Sequence, residues 1–293
     1  MPAAVFHYER PESLERAIAL LAVPGAVPLA GGQSLIPLLN SRSTTPRCIV
    51  DISRIAELRQ IEMDGAVLRV GAAVRLAEIE KNALVADFPL LAEAIASTAS
   101  PAIRNRATLV GNLVWASPQS ELPVAVVALD ATLVIEGKGM PRRIAAADFF
   151  LGPRCPAIGD GEIVVRVEFP RRASMPSASA FCEIGPRAGA PPLVCVAIRL
   201  ELDDDGAIAA ASVVAGGITG RPSRCTNTEA ALIGHTATTA TGGTATEDLV
   251  PLPDLSSANY ALEVLPIVIE RAITRAVSAL PPPANPPIRG ATP

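Results

Sequence analysis

The stretch AVPLAGGQSLIPLLNSR, residues 26–42, sets two adjacent glycines between an apolar run and an amphipathic one. Residues 27–30 read as a short buried strand and 34–40 as a helix, so Gly31 and Gly32 turn the chain between them. Glycine turns a chain at low steric cost, and it also leaves the backbone bare for a ligand to approach. The pair by itself is compatible with either use.

Upstream, PESLERAIALLA places Leu14, Ala17, Ile18 and Leu21 at i, i+3, i+4, i+7, an amphipathic helix with Pro11 and Glu12 in its first turn. Pro24 and Gly25 end it, and a second strand is expected at 47–51, giving a small βαβ-like unit. From residue 55 the rhythm becomes alternating, with Asp64-Gly65 as a hairpin turn, a helix from about residue 76 and another over 87–98. Residues 125–136 read as a buried strand, as do 162–169, which Pro170 closes. A third region carries strands at 178–184, 193–202 and 208–216, the last two joined by an Asp-Asp-Asp-Gly turn at 203–206. A low-complexity loop is expected at 236–246, a long helix at 257–280 and a disordered tail over 281–293. The class is α+β, with a two-lobed N-terminal part and a smaller C-terminal domain.

Composition narrows the function. A net charge of -4 over 293 residues, with basic residues scattered, does not suggest a nucleic-acid partner. Every apolar run is broken short of the length of a spanning helix, so no membrane insertion is expected, and the N-terminus lacks the pattern of an export signal. Five cysteines without a C-x-x-C suit a reducing, cytoplasmic setting and exclude a self-contained iron–sulfur or zinc signature. They read as small buried hydrophobes. His7 and His235 read as surface or turn residues, and the acids Asp203, Asp204 and Asp205 as a solvated turn without metal-ligand spacing. No residue stands out as catalytic and no metal site is expected, so the chain binds something or carries a cofactor that supplies the chemistry.

A second glycine-containing segment supports a binding role. IRNRATLVGNLVWASPQSELP, residues 103–123, holds Thr108, Gly111 and Asn112 in a polar turn, then Ser117 and Glu121. Exposed amides in such a turn can hold an anion, and two turns on two lobes could clamp a diphosphate. Neither the Rossmann nor the Walker pattern occurs. Trp115 reads as core, and Arg104 and Arg106 as solvated surface.

Taken together, the two segments resemble the FAD-binding medium subunit of the molybdenum hydroxylases, the group containing carbon monoxide dehydrogenase and xanthine dehydrogenase. Ala30-Gly31-Gly32-Gln33-Ser34-Leu35 matches the family's first flavin loop, AGG[QH]SL. Ile103-Arg104-Asn105, Thr108-Leu109-Val110-Gly111-Asn112 and Glu121-Leu122-Pro123 match its second, IRN…TxGGN…DxxxDLP. FHYERPESLERAIALLA, GDGEIVVRVEFP and NYALEVLPIVIERAITRA extend the similarity along nearly the whole chain.

The resemblance implies a two-lobed FAD-binding domain of the vanillyl-alcohol-oxidase/p-cresol-methylhydroxylase type, with lobes at 1–54 and 55–173. A C-terminal flavoprotein domain follows at 176–280. It implies FAD between the lobes, with Ala30, Gly31, Gly32, Gln33, Ser34 and Leu35 on one side and Thr108, Gly111, Asn112, Ser117 and Glu121 on the other. The glycine loops would hold the diphosphate, and Glu121 would accept from a ribose hydroxyl where the family has Asp. The implied assembly is a dimer of heterotrimers: a large molybdopterin subunit, a small subunit with [2Fe–2S] clusters, and this chain passing electrons from FAD to an external acceptor.

Three positions depart from the family pattern. Val110 replaces the first glycine of its GG pair, Ser117 stands where Asp is frequent, and residues 187–192 (RAGAPP) lack its Asp-Tyr or Asp-Phe near the flavin ring. Two other readings stay open: a stand-alone FAD oxidoreductase of the same fold, and a non-enzymatic scaffold whose glycines are structural.

Overall fold

A computed structural model describes residues 5–171, 177–236 and 249–279. Ser13 starts the first helix, α1 (Leu14–Leu21), by accepting from the Arg16 amide at 3.2 Å. Its apolar stripe buries Ala17 and Leu21 against a three-stranded parallel sheet of β1 (His7–Glu9), β2 (Ala26–Leu29) and β3 (Cys48–Asp51), in the order β1-β3-β2. The helix α2 (Leu35–Asn40) connects β2 to β3. Central β3 reads Cys-Ile-Val-Asp because its inner residues are covered on both faces. Asp51, at its end, accepts from the Tyr8 hydroxyl and, at 2.9 Å, from the Ser53 amide.

The second lobe is an antiparallel sheet built on hairpins. Strands β4 (Ile61–Asp64) and β5 (Val67–Gly71) meet at the Asp64-Gly65 turn. The helices α3 (Leu76–Glu80), α4 (Pro89–Ser97), α5 (Pro101–Arg104), α6 (Leu109–Trp115) and α7 (Glu121–Ala128) follow. Then come β6 (Thr132–Glu136), β7 (Arg142–Ala145), the short α8 (Ala146–Phe149), the small hairpin β8 (Phe150–Gly152) and β9 (Cys155–Pro156), and β10 (Ile163–Pro170). The sheet runs β4-β5-β10-β6-β7. Central β10 buries a lone carboxylate, Glu168, among Arg69, Arg143 and Arg166.

The segment 125–136 is not one strand. Its first part belongs to α7, every residue of which is buried, and only Thr132–Glu136 is strand, after a turn in which Asp130 has a left-handed φ of 51°. A run buried on all sides shows no periodicity, so apolar sequence cannot distinguish helix from strand there.

The C-terminal sheet, β11 (Ser177–Ile184), β12 (Val194–Leu202), β13 (Ile208–Gly216) and β14 (Ser223–Arg224), lies in the order β11-β12-β13-β14, and α9 (Thr226–Leu232) follows it. The long helix α10 (Ala258–Ser278) covers one face through Val194, Val196, Ile198 and Leu200 of β12. The other face, with Phe181, Cys195, Ala197 and Val214, packs on α4 and α7 and joins the N-terminal core. Each fully buried Val, Ile, Leu or Phe among them contributes roughly 1.5–3 kcal/mol. The Asp203 carboxylate accepts from the Asp205 and Ala207 amides, so the acidic turn is a tight reverse turn, and no metal-ligand cluster occurs among the described residues. The expected loop at 236–246 lies, beyond residue 236, outside the described residues, as does the tail at 281–293.

Candidate functional site

The turn after β2 uses its two glycines differently. Gly32 has φ +75°, a conformation that only glycine adopts without strain. Gly31 lies against the second lobe: a Cβ built on it would stand 2.1 Å from the Arg106 carbonyl oxygen. One glycine makes the turn and the other lets the two lobes touch. Beyond them, the amides of Gly32, Gln33 and Ser34 donate to no group among the described residues, although the Gly32 carbonyl accepts from Ile36 at 3.0 Å. Three open donors in one short loop have the chemistry of an anion-binding nest.

Thr108, Gly111 and Asn112 form the first turn of α6 and not a separate loop. Thr108 is the N-cap, and its hydroxyl accepts from the Gly111 amide at 3.0 Å. That amide is therefore already used. The Asn112 side-chain oxygen accepts from Ser120 at 2.9 Å, which leaves its NH2 group as a donor and ties α6 to the start of α7. Val110 sits inside the helix, 5 % exposed and packed into the core, so no left-handed backbone is needed there.

These segments wall a cleft of about 500 Å³ between the lobes. Ala30, Gly31, Gly32, Gln33, Ser34, Leu35, Thr108, Gly111, Asn112, Ser117 and Glu121 all line it. The remaining wall is largely aliphatic, from residues such as Leu29, Leu38, Ile103 and Ile163. Glu121 is the one ionisable side chain among the described lining residues, so nothing in the wall neutralises an anion by full charge. An anionic ligand has to be held by amides and dipoles. His7 and His235 are exposed and do not line the cleft.

Glu121 is the first residue of α7 and 4 % exposed. Burial, with the nearby Glu183 carboxyl adding to it, pushes its pKa up to about 7, against the opposing pull of its own helix-start amide and the Thr98 hydroxyl. It therefore carries a proton much of the time at neutral pH, and not only the acceptor character read from the sequence.

Two other expectations are corrected. Trp115 is half-buried in the cleft wall, with the Arg154 guanidinium 4.5 Å from its ring centroid, and is not core. Arg104 is not solvated surface: its side chain is 12 % exposed, pairs with Glu80 at 3.3 Å and donates to the Thr98 and Ala99 carbonyls at 3.2 and 2.9 Å. Among the cysteines, Cys195 and Cys225 are buried as expected, whereas Cys155 is exposed.

The C-terminal domain contributes through the segment 187–192, to which the resemblance pointed; sequence reasoning missed that Gly189 packs on the turn at Ala99. Gly189 and Pro191 close one end of the cleft, and a Cβ on Gly189 would stand 2.8 Å from the Ala99 carbonyl oxygen. The available signal was Gly189 itself, whose φ of +70° serves the turn in which the Ala190 amide donates to the Arg187 carbonyl at 3.1 Å.

Residues 4–172 match the family described as "FAD binding domain in molybdopterin dehydrogenase", and residues 179–264 match "CO dehydrogenase flavoprotein C-terminal domain". The chain is 33% identical over 280 residues to the 6-hydroxypseudooxynicotine dehydrogenase complex subunit alpha of Paenarthrobacter nicotinovorans, covering 93% of this chain and 94% of that one. Its fold is similar to a chain of quinoline 2-oxidoreductase from Pseudomonas putida 86, with TM-score 0.88 and 33% identity, covering 95% of this chain and 99% of that one. It is also similar to a chain of carbon monoxide dehydrogenase from Hydrogenophaga pseudoflava, with TM-score 0.90 and 28% identity, covering 96% and 100%.

Proposed function

Because the chain belongs to the FAD-binding medium subunits of the molybdenum hydroxylases, we propose that it is the electron-transfer subunit of a heterotrimeric dehydrogenase. In this reading, [2Fe–2S] clusters of a small subunit deliver electrons to FAD in the cleft. A large molybdopterin subunit oxidises the substrate, an external acceptor takes the electrons away, and two heterotrimers pair. The lobes at 1–54 and 55–173 and the domain at 176–280 are the units that this division assigns.

The observation that carries the reading is the convergence of eleven motif residues, from separate lobes, on one cleft with open amides and, among the described residues, no cation. A dinucleotide diphosphate fits that donor set. FAD supplies the redox chemistry when bound, since it accepts electrons singly or in pairs. The chain's own residues bind and orient it. The amides of Gly32, Gln33 and Ser34 and the Asn112 NH2 group would hold the diphosphate, the aliphatic wall would exclude water, and Gly189 and Pro191 would close one end of the cleft. A stand-alone oxidoreductase would need its own substrate acid or base, and only Glu121 ionises among the described lining residues.

The purified chain is expected to be yellow and to release FAD on denaturation. Expressed with its partners, it is expected to co-purify with molybdenum and iron. A colourless chain that cannot be reconstituted with FAD defeats the cofactor reading, and a yellow chain that recruits neither metal defeats the subunit reading.

A further inference from the structure

Glu121 faces the cleft on one side and a second, half-buried carboxyl, Glu183, on the other. Glu183 lies on β11, opposite Cys195 of β12, and the Cys195 thiol lies 4.0 Å from the carbonyl of Ser120, the residue before Glu121. Glu183 Oε2 is buried with no hydrogen-bond partner among the described residues. Glu183 also lines a separate cavity of about 510 Å³ between β11 and α10. The two carboxyls thus stand between the cleft and a solvent-connected cavity.

No cation among the described residues lines the cleft. The end of α4 presents the Thr98 hydroxyl, β11 presents Glu183 and β12 presents the Cys195 thiol. The residues of α6, of β13 and of the first glycine loop include no ionisable group. Behind Thr98, the Arg104 guanidinium is committed to Glu80 and two carbonyls. On the far side of the second cavity, Arg275 is held by Glu93 and the Phe181 carbonyl, while Glu270 and Arg271 lie at the exposed rim. A negative charge added to the cleft therefore has one titratable partner among the described residues of the wall, Glu121.

Resting on the reading that the cleft holds FAD, we propose that Glu121, backed by Glu183, is a redox-linked proton site. The first electron that an iron–sulfur donor passes into the cleft adds one negative charge. The Glu121 carboxylate takes up one proton, an O–H bond forms at its Oε, and one negative charge is removed. The proton comes from solvent in the β11–α10 cavity by way of Glu183. Electron arrival is thereby compensated inside a wall whose described residues include no other ionisable group. Burial already raises both carboxyls in the absence of cofactor, the direction such a site requires.

The test is a spectroelectrochemical titration of the full chain reconstituted with FAD, across acid to alkaline pH. The flavin midpoint potential is expected to change slope near neutrality in the wild type. Glu121→Gln is expected to abolish that break, and Glu183→Gln, which removes the like charge, to move it to lower pH. Reduced-minus-oxidised infrared spectra at alkaline pH are expected to gain a protonated-carboxyl band that Glu121→Gln lacks. A wild-type profile retained in Glu121→Gln, or an unmoved break in Glu183→Gln, overturns the proposal. Should Glu121→Gln fail to fold, the Glu183→Gln shift and the wild-type infrared band decide it. A wild-type chain that binds no FAD overturns the cofactor reading instead.

Discussion

At the scale of single residues, Gly31 and Gly32 show why a Gly-Gly pair is ambiguous on paper. Gly32 is constrained by its own backbone, with φ +75°, and Gly31 by a neighbour, the Arg106 carbonyl, 75 positions away in the chain. A β-branched residue at Gly32 costs at least about 1–2 kcal/mol locally. Gly32→Val is expected to lose FAD from the purified chain, read by absorbance and flavin release, while the C-terminal domain keeps its protection from proteolysis. Full flavin retention would remove the loop from the site. Val110 answers the question its substitution raised: as a residue inside α6 with its side chain in the core, it exchanges a family glycine for buried apolar surface. Trp115 could not be placed from sequence, since apolar neighbours along α6 are shared by the core face and the cleft face alike.

At the scale of elements, the informative junction is the turn between α4 and α5. Ala99 there has a left-handed φ of 53°, its carbonyl and that of Thr98 accept from Arg104, and Gly189 of the C-terminal domain packs on it. Arg104 thus holds the surface on which the C-terminal domain closes the cleft. Arg104→Ala is expected to cost about 1–3 kcal/mol in urea unfolding. Hydrogen exchange should also quicken at residues 98–100 and 187–191 more than in the β5–β10 core. Unchanged exchange at 187–191 would show that the domain contact does not depend on this turn. Helix α7 carries the other lesson of this scale. Its apolar face is its whole circumference, because α4, β12 and β13 pack around it, and such a segment offers no pattern to read. The exposed hairpins at Asp64-Gly65 and 203–206 were legible because turn chemistry is local.

At the scale of the molecule, Glu121 ties stability to pH as well as function. Its folded pKa lies above its unfolded value, so its contribution is fully present below the unfolded value and is lost as pH rises through the folded one. The rise from 4.5 to about 7 corresponds to roughly 3 kcal/mol. Glu121→Gln is therefore expected to unfold at higher urea than wild type at pH well above neutrality, by up to that amount, and to show little difference in acid. An equal gap at both extremes would mean that the side chain acts through packing and not through its charge. Glu168 works in the opposite sense: burial raises it, but Arg143 and Arg166 outweigh burial and hold it low, so its contribution is lost as pH falls. The sequence by itself determined what depends on short-range order: the hairpins, the capped and amphipathic helices, the α+β class and the two glycine motifs. Those features follow from steric preference and periodicity within a few residues. Only the tertiary structure decided that the motifs share one cleft with no cation among its described residues, that Gly31 serves the contact between lobes, and that Gly189 and Pro191 of the C-terminal domain complete the wall. It also decided that Glu121 is buried beside Glu183. Burial and charge at a point in space are set by whatever the rest of the chain brings there, which no local stretch encodes.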